Sequence, residues 1–207
     1  SDQKTKWTTT RNGRGLLFDG TNDLVSGAMD IDGNPAITLS AWIIPHSVAT
    51  ADEGIIWLYG SVDSEVLLTT HTTSLYFLTD GGGSRICGHS STLSNESLYH
   101  VCGIRYSNIF VGVSVNGDIE TSAISSDYDY DGFSAFYFGR QTFGYGNHTI
   151  LLPAAWVRAL SDAEIQQLYS DPWSMYRRRP VQVRGGGGEA PVPESMMSAL
   201  SLLGVGA

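Results

Sequence analysis

Leu98-Tyr99-His100-Val101-Cys102-Gly103-Ile104-Arg105-Tyr106, followed two residues later by Ile109-Phe110-Val111-Gly112-Val113-Ser114-Val115-Asn116-Gly117-Asp118-Ile119, decides the fold class of this 207-residue chain. Val111, Val113 and Val115 recur every second residue, the period that places side chains on one face of a strand. Asn116-Gly117 is the dipeptide that best tolerates positive φ at both centres of a type I′ turn, so Ile119 onward is expected to pair back antiparallel. The run before it, Leu98 to Tyr106, is a third strand.

The same rhythm extends outward in both directions. Upstream, Gly15 to Phe18 is a short apolar run closed by Asp19-Gly20-Thr21-Asn22-Asp23 and resumed at Leu24-Val25. Ile37 to Ile44 is rich in β-formers and stops at Pro45, which lacks the amide donor a central ladder needs. Gly54 to Tyr59, Glu65 to Thr70 and Ser74 to Thr79 follow at intervals of about ten residues. The only convincing helix is near the end: Ser161-Asp162-Ala163-Glu164 is a capping box, Ile165, Leu168 and Tyr169 share a face, and Asp171-Pro172 stops it. The expectation is an all-β, antiparallel two-sheet jelly-roll sandwich with one short C-terminal helix and extended tails. Residues 1–14 would be a basic arm, 15–170 the sandwich and 171–207 an extension.

Composition agrees: 42% of residues are hydrophobic, only 16% are charged, and there are 24 glycines, a strand-and-turn balance. Cys87 and Cys102 are too few for a disulfide scaffold and match no zinc spacing; they could bridge adjacent strands, but buried free thiols rank ahead. No apolar run approaches the ~18 residues of a membrane span, and no signal peptide is visible.

Charge is unevenly placed within a net of −9. Between Gly15 and Val157 three Arg and no Lys stand against fifteen Asp and Glu, a local net of −12. Such a body repels phosphate, so nucleic acid is not an expected partner. Lys4, Lys6, Arg11 and Arg14 make the first residues basic, and Arg177, Arg178, Arg179 and Arg184 cluster near the other end. Beyond Gly185-Gly186-Gly187-Gly188 lies an apolar end that includes Leu200, Leu202 and Leu203, a linker followed by a docking peptide. Both ends are candidate anchors on acidic or apolar neighbours.

Nucleophile elbows, zinc-protease helices, phosphate loops and Cys/His pairs are absent from the sequence. No pair of carboxylates can be placed across a glycoside cleft from the sequence either, and no catalysis is expected. Calcium is a candidate cofactor, because hard cations take several oxygen ligands. Asp127, Asp129 and Asp131 stand at positions 1, 3 and 5 with Gly132 at 6, but position 12 is Phe138 where an EF-hand needs Glu. For a sugar, the candidates are aromatics in predicted loops: Tyr128, Tyr130, Phe133 and Tyr145, with His148.

Taken in order, Leu17 to Val25, Thr38 to Ile43, Leu98 to Gly103, Val113 to Gly117, Phe136 to Arg140 and Arg158 to Ile165 resemble the laminin G-like, concanavalin A-like lectin/glucanase superfamily. The segment Leu168 to Arg177 resembles the ending of phage-encoded members. That resemblance implies a virion structural or decoration protein, made in the host cytoplasm. Its arms would bind other virion subunits, as a homo-oligomer, with the lectin-like domain outward. A carbohydrate-binding module or adhesin for a host-surface glycan, with calcium as a candidate aid, is the alternative. The resemblance also makes Asp19, Asn22 and Asp23 a second candidate calcium site, for which Asx hydrogen bonding in a turn ranks ahead. Asp30-Ile31-Asp32 is the nearest approach to the acidic strand motif of the superfamily's glucanases and lacks its glutamates.

Overall fold

The computed structural model describes residues 6–33, 36–47, 52–60, 64–80, 85–107, 109–123, 132–141 and 144–176. Strands in chain order are β1 (Lys6–Thr10), β2 (Gly13–Leu17), β3 (Val25–Asp32), β4 (Ile37–Pro45) and β5 (Asp52–Tyr59). Next come β6 (Glu65–His71), β7 (Ser74–Asp80), β8 (Arg85–Gly88), β9 (Tyr99–Ser107) and β10 (Phe110–Val115). They are completed by β11 (Asp118–Ala123), β12 (Gly132–Phe138), β13 (Arg140–Gln141), β14 (Gly144–Tyr145) and β15 (His148–Trp156). The helix α1 (Asp162–Ser170) and a 3-10 turn at Ser174–Tyr176 follow.

Two antiparallel sheets result, a seven-stranded one in the order β1-β2-β15-β4-β9-β10-β11 and a six-stranded one in the order β3-β12-β5-β6-β7-β8. Strands β13 and β14 pair with each other beside β5. The jelly-roll expectation holds, as does the hairpin: Val115 faces Asp118, and Asn116 and Gly117 take φ of 53° and 85°. The reading of residues 1–14 as an arm changes, because residues 6–10 form β1 and pair with β2, Trp7 opposite Leu16. Lysine and arginine dominated the reading of that segment, but its threonines and Trp7 favour a strand.

Alternation builds the core. Leu39, Ala41 and Ile43 on β4, Val101 on β9 and Val111, Val113 and Val115 on β10 point inward from the larger sheet. They meet the row Phe138, Ile56, Leu68, Phe77 and Cys87 that register aligns across the smaller one. Each buried side chain of this kind contributes about 1.5–3 kcal/mol through apolar area removed from water. Both cysteines are free and buried, and burial pushes the Cys102 thiol up to about 12, which keeps it inert at neutral pH.

The outer face of the seven-stranded sheet is closed by α1. Ser161 caps the helix reciprocally with Glu164, whose carboxylate also takes both terminal nitrogens of Arg158 at 2.9 and 2.7 Å. Ile165 and Leu168 then lie against Cys102, Ile104, Ala154 and Trp156. Thr38 fastens the approach to the helix by donating to the Arg158 carbonyl and accepting from the Leu160 amide, each at 3.0 Å. Pro153 falls in a bulge of β15 between Leu151 and Ala154, where a missing donor costs no ladder bond.

Candidate functional site

The outer face of the six-stranded sheet carries the aromatic chemistry. Register sets Ser26, Tyr137, Trp57, Leu67 and Leu78 side by side across β3, β12, β5, β6 and β7, on the face opposite the core. Trp57 stacks on Tyr137 with ring centres 4.8 Å apart and meets Tyr59 edge-on at 5.2 Å. Its indole N–H donates to Glu65 Oε2 at 2.9 Å, which fixes the ring in one orientation. Beyond Tyr137 the guanidinium of Arg140 lies over that ring at 6.0 Å and over Tyr145 at 5.6 Å.

The result is a chain of contacts Tyr145, Arg140, Tyr137, Trp57, Tyr59. Trp57 is 7% exposed and forms the floor, while Tyr59, Tyr137, Arg140 and Tyr145 are half-buried and offer their free surfaces to solvent. Such a surface offers π-faces for apolar C–H groups, with Arg140 supplying N–H donors at one end.

Of the aromatics expected to bind, Tyr145 belongs to this face. Phe133 does not: it stands on β12, 2% exposed in the core, because the strand begins at Gly132, earlier than the sequence suggested. His148 is likewise not in a loop but opens β15 opposite Pro45, fully buried. Tyr128, Tyr130, Asp127, Asp129 and Asp131 lie outside the described residues, as do Arg177, Arg178, Arg179, Arg184, Leu200, Leu202 and Leu203. Asp19 and Asp23 are turn-formers: Asp19 Oδ1 accepts from the Thr21 amide at 2.9 Å, and Asp23 Oδ2 from the Asp19 amide at 3.3 Å. Asn22 sits exposed between them. Among the described residues no three His, Cys, Asp or Glu side chains converge as metal ligands.

Sequence reading missed Trp57, Tyr59, Tyr137 and Arg140. The available signal was alternation: with Phe136 and Phe138 assigned to the core, Tyr137 must face the other way.

Two further polar groupings are buried. At one end of the sandwich His148 Nε2 lies 3.4 Å from Glu53 Oε2 and from Thr70 Oγ1. Burial holds His148 down at about 4 and pushes Glu53 up against hydrogen bonds from the Asn147 backbone and Ser47. At neutral pH the imidazole is therefore uncharged and the contact is not a charged bridge. Under α1, Ser40 Oγ and His100 Nε2 share a hydrogen bond of 3.0 Å, and burial lowers His100 to about 4. This pair has the elements of a nucleophile and its base. Both residues are 1% exposed, though, and the imidazole is covered by the stacked ring of Tyr169 and the tilted ring of Trp42, so no substrate atom reaches the hydroxyl.

No protein-family model matches the chain. No curated protein matches it either. Solved structures do. The native heptameric SAP-like pentraxin from Limulus polyphemus is 12% identical with a TM-score of 0.59, covering 74% of this chain and 80% of that one. The binding domain of botulinum neurotoxin serotype G is 10% identical with a TM-score of 0.63 over 84% of this chain, which spans 48% of its length. Domain 4 of AbnA, an extracellular GH43 arabinanase from Geobacillus stearothermophilus solved with arabinotriose, is 12% identical with a TM-score of 0.61, covering 79% and 80%. At these identities the likeness is one of fold, and the fold is the jelly-roll sandwich of lectin-like domains.

Proposed function

We propose that the chain is a carbohydrate-binding module that acts by binding, without catalysis, and holds its glycan on the aromatic outer face of the six-stranded sheet. The observation that carries this reading is the fixed contact of Trp57 with the half-buried rings of Tyr137 and Tyr59, continued through Arg140 to Tyr145, on the outer face of the six-stranded sheet. Sugar rings present C–H groups that lie flat on such π-faces, and a preset platform binds them at low entropic cost. Support by analogy comes from the arabinanase domain, whose structure holds arabinotriose on the same fold.

A glycan array with the purified chain tests this, run in calcium and in chelator. Binding is expected in both, and Tyr137→Ala should weaken it by about tenfold or more, the loss of one stacked ring, with its thermal transition monitored as a folding control. Loss in chelator would move the ligand to the acidic segment 127–131. An array blank in both buffers removes the reading.

A second reading, a virion structural protein held by its arms, has one specific support. Trp7 is 61% exposed under the Arg14 guanidinium, and Trp173 and Tyr176 are 43% and 39% exposed where the chain passes on to Arg177-Arg178-Arg179. On that reading, removing residues 172–207 detaches the chain from particles that carry it; unchanged attachment would end it.

A further inference from the structure

Arg140 is unlike the other described arginines. Arg158 is paired with Glu164, Arg105 is 2% exposed and bonded in the interior, and Arg11 and Arg14 lie on the basic β1–β2 hairpin. Arg140 stands in a segment of local net charge −12, yet its contacts among the described residues are two tyrosine rings and no carboxylate. In a chain with 21 acidic residues an arginine with a carboxylate in reach would be expected to pair with it.

The acids of the adjoining strands are committed elsewhere. Asp52 bonds His71 at 2.6 Å, Glu65 holds Trp57, and Glu53 is buried beside His148. Glu65 lies opposite Tyr59, whereas the Arg140 backbone lies against Gly54, five residues along β5 and therefore roughly 16 Å away.

Cation–π contact with tyrosine rings uses none of a guanidinium's N–H groups, so among the described residues the Arg140 fork is left for a two-point contact with a planar anion. It also lies in line with the rings, at the Tyr145 end of the stack.

We infer that Arg140 recognises an anionic group on the bound sugar, and that the ligand class is an acidic glycan bearing carboxylate or sulfate. Its neutral part rests on the half-buried rings of Tyr137 and Tyr59, with Trp57 as the floor beneath them, while the acid meets the Arg140 fork between Tyr137 and Tyr145. This rests on the carbohydrate-binding reading and adds the charge of the ligand to it.

The experiment compares each acidic oligosaccharide with its neutral parent: uronate-bearing against methyl-esterified, sialylated against desialylated, sulfated against unsulfated. Affinities of the full chain and of Arg140→Gln and Arg140→Lys are measured at one salt concentration. At least one acidic member is expected to bind about tenfold or more tighter than its parent, the usual gain of a charge-assisted two-point contact. Arg140→Gln should bring that ratio close to one, and Arg140→Lys should retain part of it. Which pair shows the ratio separates carboxylate from sulfate. Ratios near one in the wild-type chain overturn the inference and leave the carbohydrate reading standing. A preference that survives Arg140→Gln overturns the role of Arg140. Binding to no member of any pair overturns both.

Discussion

Lowering the pH from 7 to 4 will destabilise the fold by about 2–3 kcal/mol for each of His100 and His148. Both imidazoles are buried neutral, with pKa values of about 4 in place of the ordinary 6.5, and burial is the first cause in each. Between those two values the unfolded chain binds protons that the folded chain refuses, so stability rises with pH there and falls as acid is added. The contribution is fully present above 6.5 and gone once the pH has passed below 4. Glu53 acts in the opposite sense: burial raises its pKa, the folded state takes up a proton more readily, and acidification returns a part of the loss. Glu164, held near 2 mainly by Arg158, loses its contribution only below the ordinary carboxylate range and is too exposed to count for much. Urea titrations at pH 7, 6, 5 and 4 read the effect. The double variant His100→Gln, His148→Gln should be weaker than wild type at pH 7 but nearly flat between 6.5 and 4; a slope equal to wild type would mean that other groups carry the acid sensitivity.

Where signals were local, the sequence was readable. Val111, Val113 and Val115 lie inward as their spacing requires, Asn116-Gly117 makes its turn, and Ser161 and Glu164 cap the helix. The binding face depends on pairings the chain makes over long separations. Tyr137 meets Trp57 because β12 lies beside β5, eighty residues earlier, and no local pattern specifies that neighbour. His148 misled for the same reason: between Asn147 and Thr149 it reads as loop, yet pairing of β15 with β4 carries it into the interior. Trp7 was hidden by the charges around it. Thus alternation could assign an outward face, but only sheet order could show which residues share it.

That dependence on pairing leads to the remaining prediction, at a residue that presents no side chain to any ligand. A Cβ placed on Gly54 would lie 2.4 Å from the carbonyl carbon and oxygen of Arg140 and 2.8 Å from the Gln141 amide nitrogen. All three are backbone atoms and cannot swing aside, so Gly54→Ala must push β13 off β5. The constraint is space: β13 approaches β5 closely enough that only hydrogen fits between them. A cost of about 2–3 kcal/mol is expected, at the upper end of overpacking, which in a domain of this size lowers the melting temperature by about 5–10 °C. Because Arg140 and Tyr145 ride on the displaced pair of strands while Tyr137, Trp57 and Tyr59 stay with β12 and β5, the two halves of the face separate. Gly54→Ala should therefore reduce affinity for an acidic glycan more than affinity for its neutral parent. Differential scanning calorimetry and the paired-glycan titration measure the two effects on the same sample. A variant that melts like wild type and keeps its preference would show that contact between β13 and β5 does not position Arg140.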